Sequence, residues 1–379
     1  MIGNITKYIK ENWKTLGLKK APAELLFIKT KDRGIRDPKV GTITFQVINK
    51  TLFSEELILI VRIPRYASNK EANSTIQLEY DNLKLVHAAL KNSPISNNIP
   101  KAVFLETIGD SKVFGIGVLR GTSMGGTILS ENLVSPMKKN LQISFNWLIT
   151  LQKSLGNHRR QNIEELAYAT IEKYKTLSDN TETHNNYFEG IIEKAKNAPR
   201  QDVPIYFQHT DFHAGNIFIK DGEISGVIDW EDFSMTNLPC FDVFHFIKTY
   251  LDSFYDYFSG QNNPQLMEKF MSSNQLSAIL QDAIDFYFRE MKIDIKLFEI
   301  LLPLYLIESS SICKIPRKRA DYYSWVFDIL LLAKAFTLAD FINSLGVFSY
   351  QNMRKKAAEK GNNELVEYCT RKINTLLKK

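Results

Sequence analysis

The stretch from Gln208 to Asp232, QHTDFHAGNIFIKDGEISGVIDWED, sets the tightest limit on how this chain can fold. His209, Asp211, His213 and Asn216 crowd one short segment, and an apolar run from Ser225 to Ile228 delivers Asp229, Trp230, Glu231 and Asp232. The spacing predicts strand, loop, strand, turn, strand. Ile205 to Phe207 is a short β-rich run that enters the loop, and Ile217 to Ile219 leaves it as a strand. Asp221-Gly222 is a hairpin turn signal, so Ile224 to Ile228 returns antiparallel and ends at Asp229. Asp211 and Asn216 then bracket a tight loop, and the hairpin carries Asp229 back towards it. Three oxygen-bearing side chains are expected to converge.

Such a set suits phosphoryl transfer. Mg²⁺ takes oxygen ligands and keeps several waters, so one carboxylate and one amide suffice beside phosphate oxygens. A second carboxylate, not spent on metal, can orient an attacking hydroxyl and take its proton. Asp211 is the candidate base, and Asn216 and Asp229 are the candidate metal ligands. Turn formation alone accounts for any one of these residues beside Gly215, but not for the whole set with a returning strand. His209, Asp211 and His213 also alternate, and alternate residues on a strand share a face, so a zinc hydrolase site is a competing reading. Only six histidines occur, and the others are too scattered to complete it. His209 is read as a brace for the loop; His213 either does the same or faces substrate.

With 379 residues the chain exceeds the size at which a single core usually divides, and 44% apolar residues supply a sizeable interior. The net charge of +6 suits a protein that handles phosphate anions and does not argue for nucleic acid. Cys240, Cys313 and Cys369 have no metal or redox spacing, which points to a reducing cytoplasm. The N-terminal stretch lacks the apolar core of a signal peptide, and no apolar run reaches membrane-spanning length. Stable membrane insertion is therefore not expected.

The catalytic stretch resembles that of the aminoglycoside phosphotransferase/choline kinase family, relatives of protein kinases. That family shows H-x-D-x-x-x-x-N followed by I-D-W/F-E. Here these are His209-Thr210-Asp211 through Asn216, and Ile228-Asp229-Trp230-Glu231. The resemblance implies an α+β, two-lobed protein-kinase-like fold, with a small antiparallel β N-lobe over residues 1–120 and a larger, mainly helical C-lobe over 121–379. It also implies ATP and Mg²⁺ as cofactors and a small-molecule hydroxyl as acceptor, in antibiotics, amino alcohols or sugars.

The rest of the chain can be taken in that light. Glu24 to Thr30, Gly41 to Asn49 and Leu57 to Ile63 read as three antiparallel strands, and Val103 to Leu105 and Val113 to Val118 as two more. The loop Lys31 to Gly41 would cover the triphosphate, yet it lacks a G-x-G-x-x-G pattern; Gly34, Lys39 and Gly41 are its favourable features. Leu78 to Leu90 has helical rhythm, broken only by Asn82, and Glu79 sits where the family's paired Glu is expected. The strand position that in relatives carries a phosphate-binding Lys holds Arg62. Arginine forks where lysine is a point charge, so the two are not equivalent, although Arg can bind phosphate bidentately. The plainer reading of Arg62 is an ordinary exposed strand residue.

Glycines near Arg120 mark a hinge or a flexible linker. Beyond it Met137 to Leu155, Ile163 to Leu177, Phe188 to Ala198, Met267 to Phe270, Leu276 to Met291, Leu297 to Glu308 and Trp325 to Leu345 read as helices, with a loop over Ser178 to Asn186. The basic stretch from Arg354 to Lys379 reads as an amphipathic helix whose charged side is solvated, with membrane-surface docking as the alternative, and Lys314 to Arg319 as a solvated basic loop, with holding an anionic or phosphorylated substrate as the alternative. Asp242 opens another helix, either as an acid at its N-terminus or, as in relatives, as a brace beneath the catalytic loop. Glu231 and Asp232 read as solvent-exposed charges, with metal contact through water or binding of a cationic substrate as alternatives. A rival from another class is a catalytically weak, nucleotide-binding pseudokinase with a regulatory role, suggested by Arg62 and the missing glycine pattern.

Overall fold

The computed structural model describes residues 1–32, 41–127, 134–156, 159–177, 181–199, 202–236, 238–261, 264–265, 268, 274–314 and 336–378. The loop centred on Gly34 and Lys39, the basic stretch beyond Lys314, and residues 267, 269–270 and 325–335 of two expected helices lie outside them. Two compact units emerge: Met1–Ser123 with Asn216–Phe233, and Met124–Gly215 with Ser234–Lys379.

The first unit is built on a five-stranded antiparallel sheet. Its strands are β1 (Glu24–Asp32), β2 (Thr42–Lys50), β3 (Glu55–Pro64), β4 (Ala102–Ile108) and β5 (Ser111–Ile116), in the order β1-β2-β3-β5-β4. All five were expected as strands, the second from the alternation over Gly41 to Asn49. Side chains on a strand alternate between faces. Leu59, Val61 and Ile63 of β3 accordingly join Phe45 and Val47 of β2 in one apolar layer, closed by Ile5 and Ile9 of helix α1 (Ile2–Asn12).

Helix α2 (Lys70–Ala89) begins eight residues before the expected start at Leu78, because Asn69 caps it by accepting from the Ala72 N–H at 3.0 Å. It buries Ile76, Leu83 and Val86, and the ring of Tyr80 meets Phe114 of β5 edge-on at 5.7 Å. The interruption of its apolar rhythm at Asn82 has a reason. The Asn82 amide donates to the carbonyls of Trp230 at 2.8 Å and Glu231 at 3.3 Å, tying α2 to the segment that follows the hairpin.

That hairpin pairs Ile217–Lys220 with Glu223–Val227, and a short strand, Thr122–Ser123, adds to its edge. Gly121 makes the approach possible: its φ is +130°, and a Cβ there would lie 2.6 Å from the carbonyl oxygen of Ile219.

The second unit is mainly helical. Its long helices are α3 (Val134–Leu155), α4 (Ile163–Leu177), α5 (Glu182–Lys196), α6 (Phe241–Gln261), α7 (Asn274–Glu290), α8 (Phe298–Lys314), α9 (Leu338–Glu359) and α10 (Asn363–Leu377). Aromatic contacts knit the interior. Phe145 of α3 meets Phe246 of α6 at 6.1 Å and Tyr287 of α7 at 6.0 Å. Two sequence expectations need correction. Ser178 to Asn186 is not all loop, because α5 starts at Glu182 behind a capping box in which Thr181 and His184 exchange hydrogen bonds; a His in place of Glu or Gln at the third helical position hid it. The basic C-terminal stretch is not one helix either. Gly361 adopts φ +70° and ends α9, and Asn362 caps α10. Among the described residues no helix is long and apolar enough to cross a membrane.

The substitution Asn82→Ala would leave the carbonyls of Trp230 and Glu231 without that donor. It is expected to cost about 1–2 kcal/mol, seen as a lower urea midpoint with unchanged slope. An unaltered midpoint would show that the tie contributes nothing.

Candidate active site

Alternation on β3 decides the position of Arg62. Its neighbours Val61 and Ile63 face the apolar layer, so Arg62 projects from the opposite face, in the strand at the centre of the sheet. It is 5% exposed, so the reading as an ordinary exposed residue is wrong. Its guanidinium pairs with Glu79 of α2, with Asp229 through Nη2 at 2.7 Å, and with Glu231 through Nη1 at 2.9 Å. Burial works against the charge, but Glu79 and Glu231 together outweigh it and hold the guanidinium pKa above that of a free arginine. Its Nε has no hydrogen-bond partner among the described residues.

Asp229 and Asn216 stand at the open end of the hairpin. Ile217 pairs with Val227, and the Ile228 N–H donates to the Asn216 carbonyl at 3.0 Å, extending the ladder by one step. Asn216 closes a 3₁₀ turn, Ala214–Asn216, and both residues are 1% exposed. Asp229 has φ +69°, a conformation that costs a non-glycine residue on the order of 1 kcal/mol. Trp230, fully buried, donates from its indole to the Val227 carbonyl at 2.8 Å and steadies that turn. Glu231 is drawn into the cluster rather than left in solvent, its side chain being 15% exposed. Oxygens of Glu79, Asp229 and Glu231 lie within 4.8 Å of one another. Gly41 makes a different contact: it is buried before β2, and its carbonyl accepts from the Arg65 N–H at 2.8 Å.

In the second unit the loop carrying Asp211 is pinned from α6. Asp242, fully buried, accepts from the backbone N–H of His209 at 2.6 Å and of Thr210 at 2.8 Å. Two fixed N–H groups hold Thr210 at φ +67°. That twist breaks the alternation on which the zinc reading depended. The His209 ring is buried against Phe212, whereas Asp211 is 41% exposed. Phe212 in turn stacks on Trp147 of α3 at 5.4 Å. Among the described residues, no histidine joins a group with the spacing of metal ligands.

Sequence reasoning missed His245. One turn beyond Asp242 on α6, its Nε2 lies 3.6 Å from Asp211 Oδ1, while His213 Nε2 lies 3.7 Å from Oδ2. The i, i+3 spacing of Asp242 and His245 was the available signal. Burial works against the Asp211 charge, but these two imidazoles outweigh it and hold the carboxyl well below the usual range. Burial pushes the His245 pKa down, with Asp211 opposing. Its Nδ1 lies 3.3 Å from the Tyr305 hydroxyl. The cluster presents an ionised, partly exposed carboxylate on an immobilised backbone. Chemically, such a group can accept a hydrogen bond from a hydroxyl.

Residues 58–268, more than half of the chain, match the phosphotransferase enzyme family, APH. No curated protein sequence matches. Among solved structures the chain is similar to amicoumacin kinase hAmiN in complex with AMP-PNP, Ca²⁺ and Ami, at 12% identity and a TM-score of 0.49, covering 84% of this chain and 90% of that one. It is similar to a mutant of aminoglycoside 2'-phosphotransferase-IIIa in complex with GDP, at 12% identity and a TM-score of 0.48, covering 86% and 95%. A thermostable mutant of aminoglycoside phosphotransferase APH(4)-Ia, with ADP and hygromycin B, gives 10% identity and a TM-score of 0.42, covering 99% and 98%. These likenesses are distant, and the assignment rests on the family match. The fold, a small antiparallel sheet with a larger helical part, is the α+β, protein-kinase-like one expected from the sequence. The chain belongs to the phosphotransferase enzyme family.

Proposed function

We propose that this chain is an ATP-dependent enzyme that moves the γ-phosphoryl group of ATP to a hydroxyl of a small molecule, of aminoglycoside, amino alcohol or sugar type, in the cytoplasm. Family membership supports the reaction class. The observation that carries the reading is the buried cluster in which Arg62 of β3 joins Glu79 of α2 and Asp229. A cation on a central strand, held by a helix acid beside a carboxylate, is an arrangement suited to a triphosphate and its metal.

The donor set fits a hard divalent cation such as Mg²⁺. Asn216 and Asp229 offer buried oxygens, and Glu79 and Glu231 gather further carboxylate oxygens at Asp229. When bound, the cation supplies neutralisation of phosphate charge. Asn216 and Asp229 are assigned as its ligands. Arg62, with Nε unpartnered among the described residues, is assigned to phosphate oxygens, and Glu79 orients it. Gly41, at the start of β2, is assigned to the backbone that approaches the phosphates. Asp211 orients the acceptor hydroxyl and receives its proton at a carboxylate oxygen. His213 and His245 keep Asp211 ionised, which makes it a weak base and a good orienting group. A loose transition state asks little more, since positioning and charge neutralisation do most of the catalytic work. Asp242 and His209 fix the loop.

Thermal-shift titration with MgATP, combined with ATP consumption over a panel of hydroxylated metabolites and aminoglycosides, tests the proposal. MgATP should raise the midpoint, and one acceptor should consume ATP stoichiometrically. A shift without acceptor-dependent turnover would indicate a nucleotide-binding protein that does no chemistry.

For Asp211→Asn, kcat is expected to fall about 10²–10⁴-fold, with the KM for MgATP little changed. Near-normal turnover would remove Asp211 from its role.

Burial lifts the Asp242 carboxyl from 3.8 to about 7, with the N–H groups of His209 and Thr210 opposing and Asp211 adding. A proton bound more tightly in the folded state contributes stability that is complete below pH 3.8 and lost as pH rises through about 7. Across that window the wild type should lose roughly 1 kcal/mol per pH unit relative to Asp242→Asn in urea denaturation. A constant difference would mean that Asp242 does not titrate between those limits.

A further inference from the structure

Phe45 and Val47 of β2 face the apolar layer, so Thr44 between them alternates onto the opposite face. Thr44 pairs with Arg62 across β2 and β3. Directly opposed residues of an antiparallel pair share a face, with Cβ atoms about 4.5–5.5 Å apart. Both are buried, Thr44 at 8% exposure and Arg62 at 5%. Each has one buried polar atom, Thr44 Oγ1 and Arg62 Nε, without a hydrogen-bond partner among the described residues. A buried hydroxyl without a partner is destabilising, and valine offers nearly the same shape and strand preference without that penalty. Packing alone therefore does not account for a threonine here.

The two groups are complementary to the same thing. Arg62 Nε–H can only donate and the Thr44 hydroxyl can donate as well, so one acceptor oxygen between them satisfies both. The terminal nitrogens of Arg62 are already engaged, Nη1 by Glu79 and Glu231 and Nη2 by Asp229. Nε is the edge of the guanidinium left to face the sheet. Gly41, buried at the start of the same strand, precedes Thr44 by three residues.

We infer that Thr44 Oγ1 and Arg62 Nε form one subsite for a phosphate oxygen of the nucleotide. The subsite depends on the proposed function, which assigns Arg62 to the phosphates, and it adds Thr44 as a binding residue that no motif marked. An anionic oxygen there accepts from the hydroxyl and from the charged guanidinium, and such charge-assisted bonds are stronger than neutral ones. The Thr44 hydroxyl thus lowers stability without nucleotide and contributes affinity with it, opposite signs that a packing residue does not show.

Thr44→Val and Thr44→Ser in the full chain test the subsite. Val keeps the shape and loses the hydroxyl; Ser keeps the hydroxyl and loses a methyl. Without nucleotide, Thr44→Val is expected to have a urea midpoint at or above that of wild type. Its affinity for Mg·AMP-PNP, measured by calorimetry, should fall about tenfold or more, while Thr44→Ser stays within about threefold of wild type. The loss should spare adenosine, which has no phosphate. A lower urea midpoint for Thr44→Val would mean that the hydroxyl holds the sheet, and the inference falls. Equal affinity of Val and Ser variants for Mg·AMP-PNP would also overturn it, since the hydroxyl would then be irrelevant. So would a parallel loss of adenosine, which would put the effect elsewhere than the phosphates. If the wild type itself does not bind AMP-PNP, the proposed function falls and the subsite with it.

Discussion

A guanidinium is tolerated in the middle of a sheet only if carboxylates come to meet it. Arg62 sits on the central strand at 5% exposure, and water cannot solvate it there. Three acids do so instead, one from α2 and two from the segment after the hairpin. Buried pairs of this kind add little net stability, because desolvation offsets most of the attraction. What they fix is placement. Arg62 ties α2, the chain after Val227 and Asp229 to one point on the sheet. Asn82 reinforces the same junction from α2 by binding the backbone next to it.

The second unit solves a related problem differently. Asp211 is partly exposed, and its loop is held through the backbone as well as by the buried rings of His209 and Phe212. The anchor is Asp242, which accepts two adjacent backbone N–H groups from a fully buried position. Those bonds hold Thr210 in a left-handed conformation, as Trp230 steadies Asp229 in its own. Strained backbone at both places persists because the surroundings over-determine it. The cost at Asp242 is a carboxyl whose burial and whose hydrogen bonds pull its pKa in opposite directions.

These two arrangements suit a reaction that demands placement more than covalent chemistry. In phosphoryl transfer the protein must hold a nucleotide, neutralise phosphate charge and aim a hydroxyl. The two imidazoles facing Asp211 favour its ionised form against the effect of burial. The Arg62 guanidinium meets Glu79 through Nη1 and Asp229 through Nη2.

The linear sequence determined the elements and the identity of most charged groups. Short β-rich runs marked the five strands, and His209-x-Asp211 through Asn216 with Ile228-Asp229-Trp230-Glu231 marked the family resemblance, because local spacing of residue types is a one-dimensional property. Contacts between distant segments are not. That Arg62 is buried, that Glu231 turns inward and that His245 faces Asp211 were decided by the packing of segments 167, 169 and 34 residues apart. Even local expectations failed where a cap of unusual composition, Thr181 with His184, stood in for the common one. Sequence names the charges; only the folded chain decides which of them must share a space that water has left.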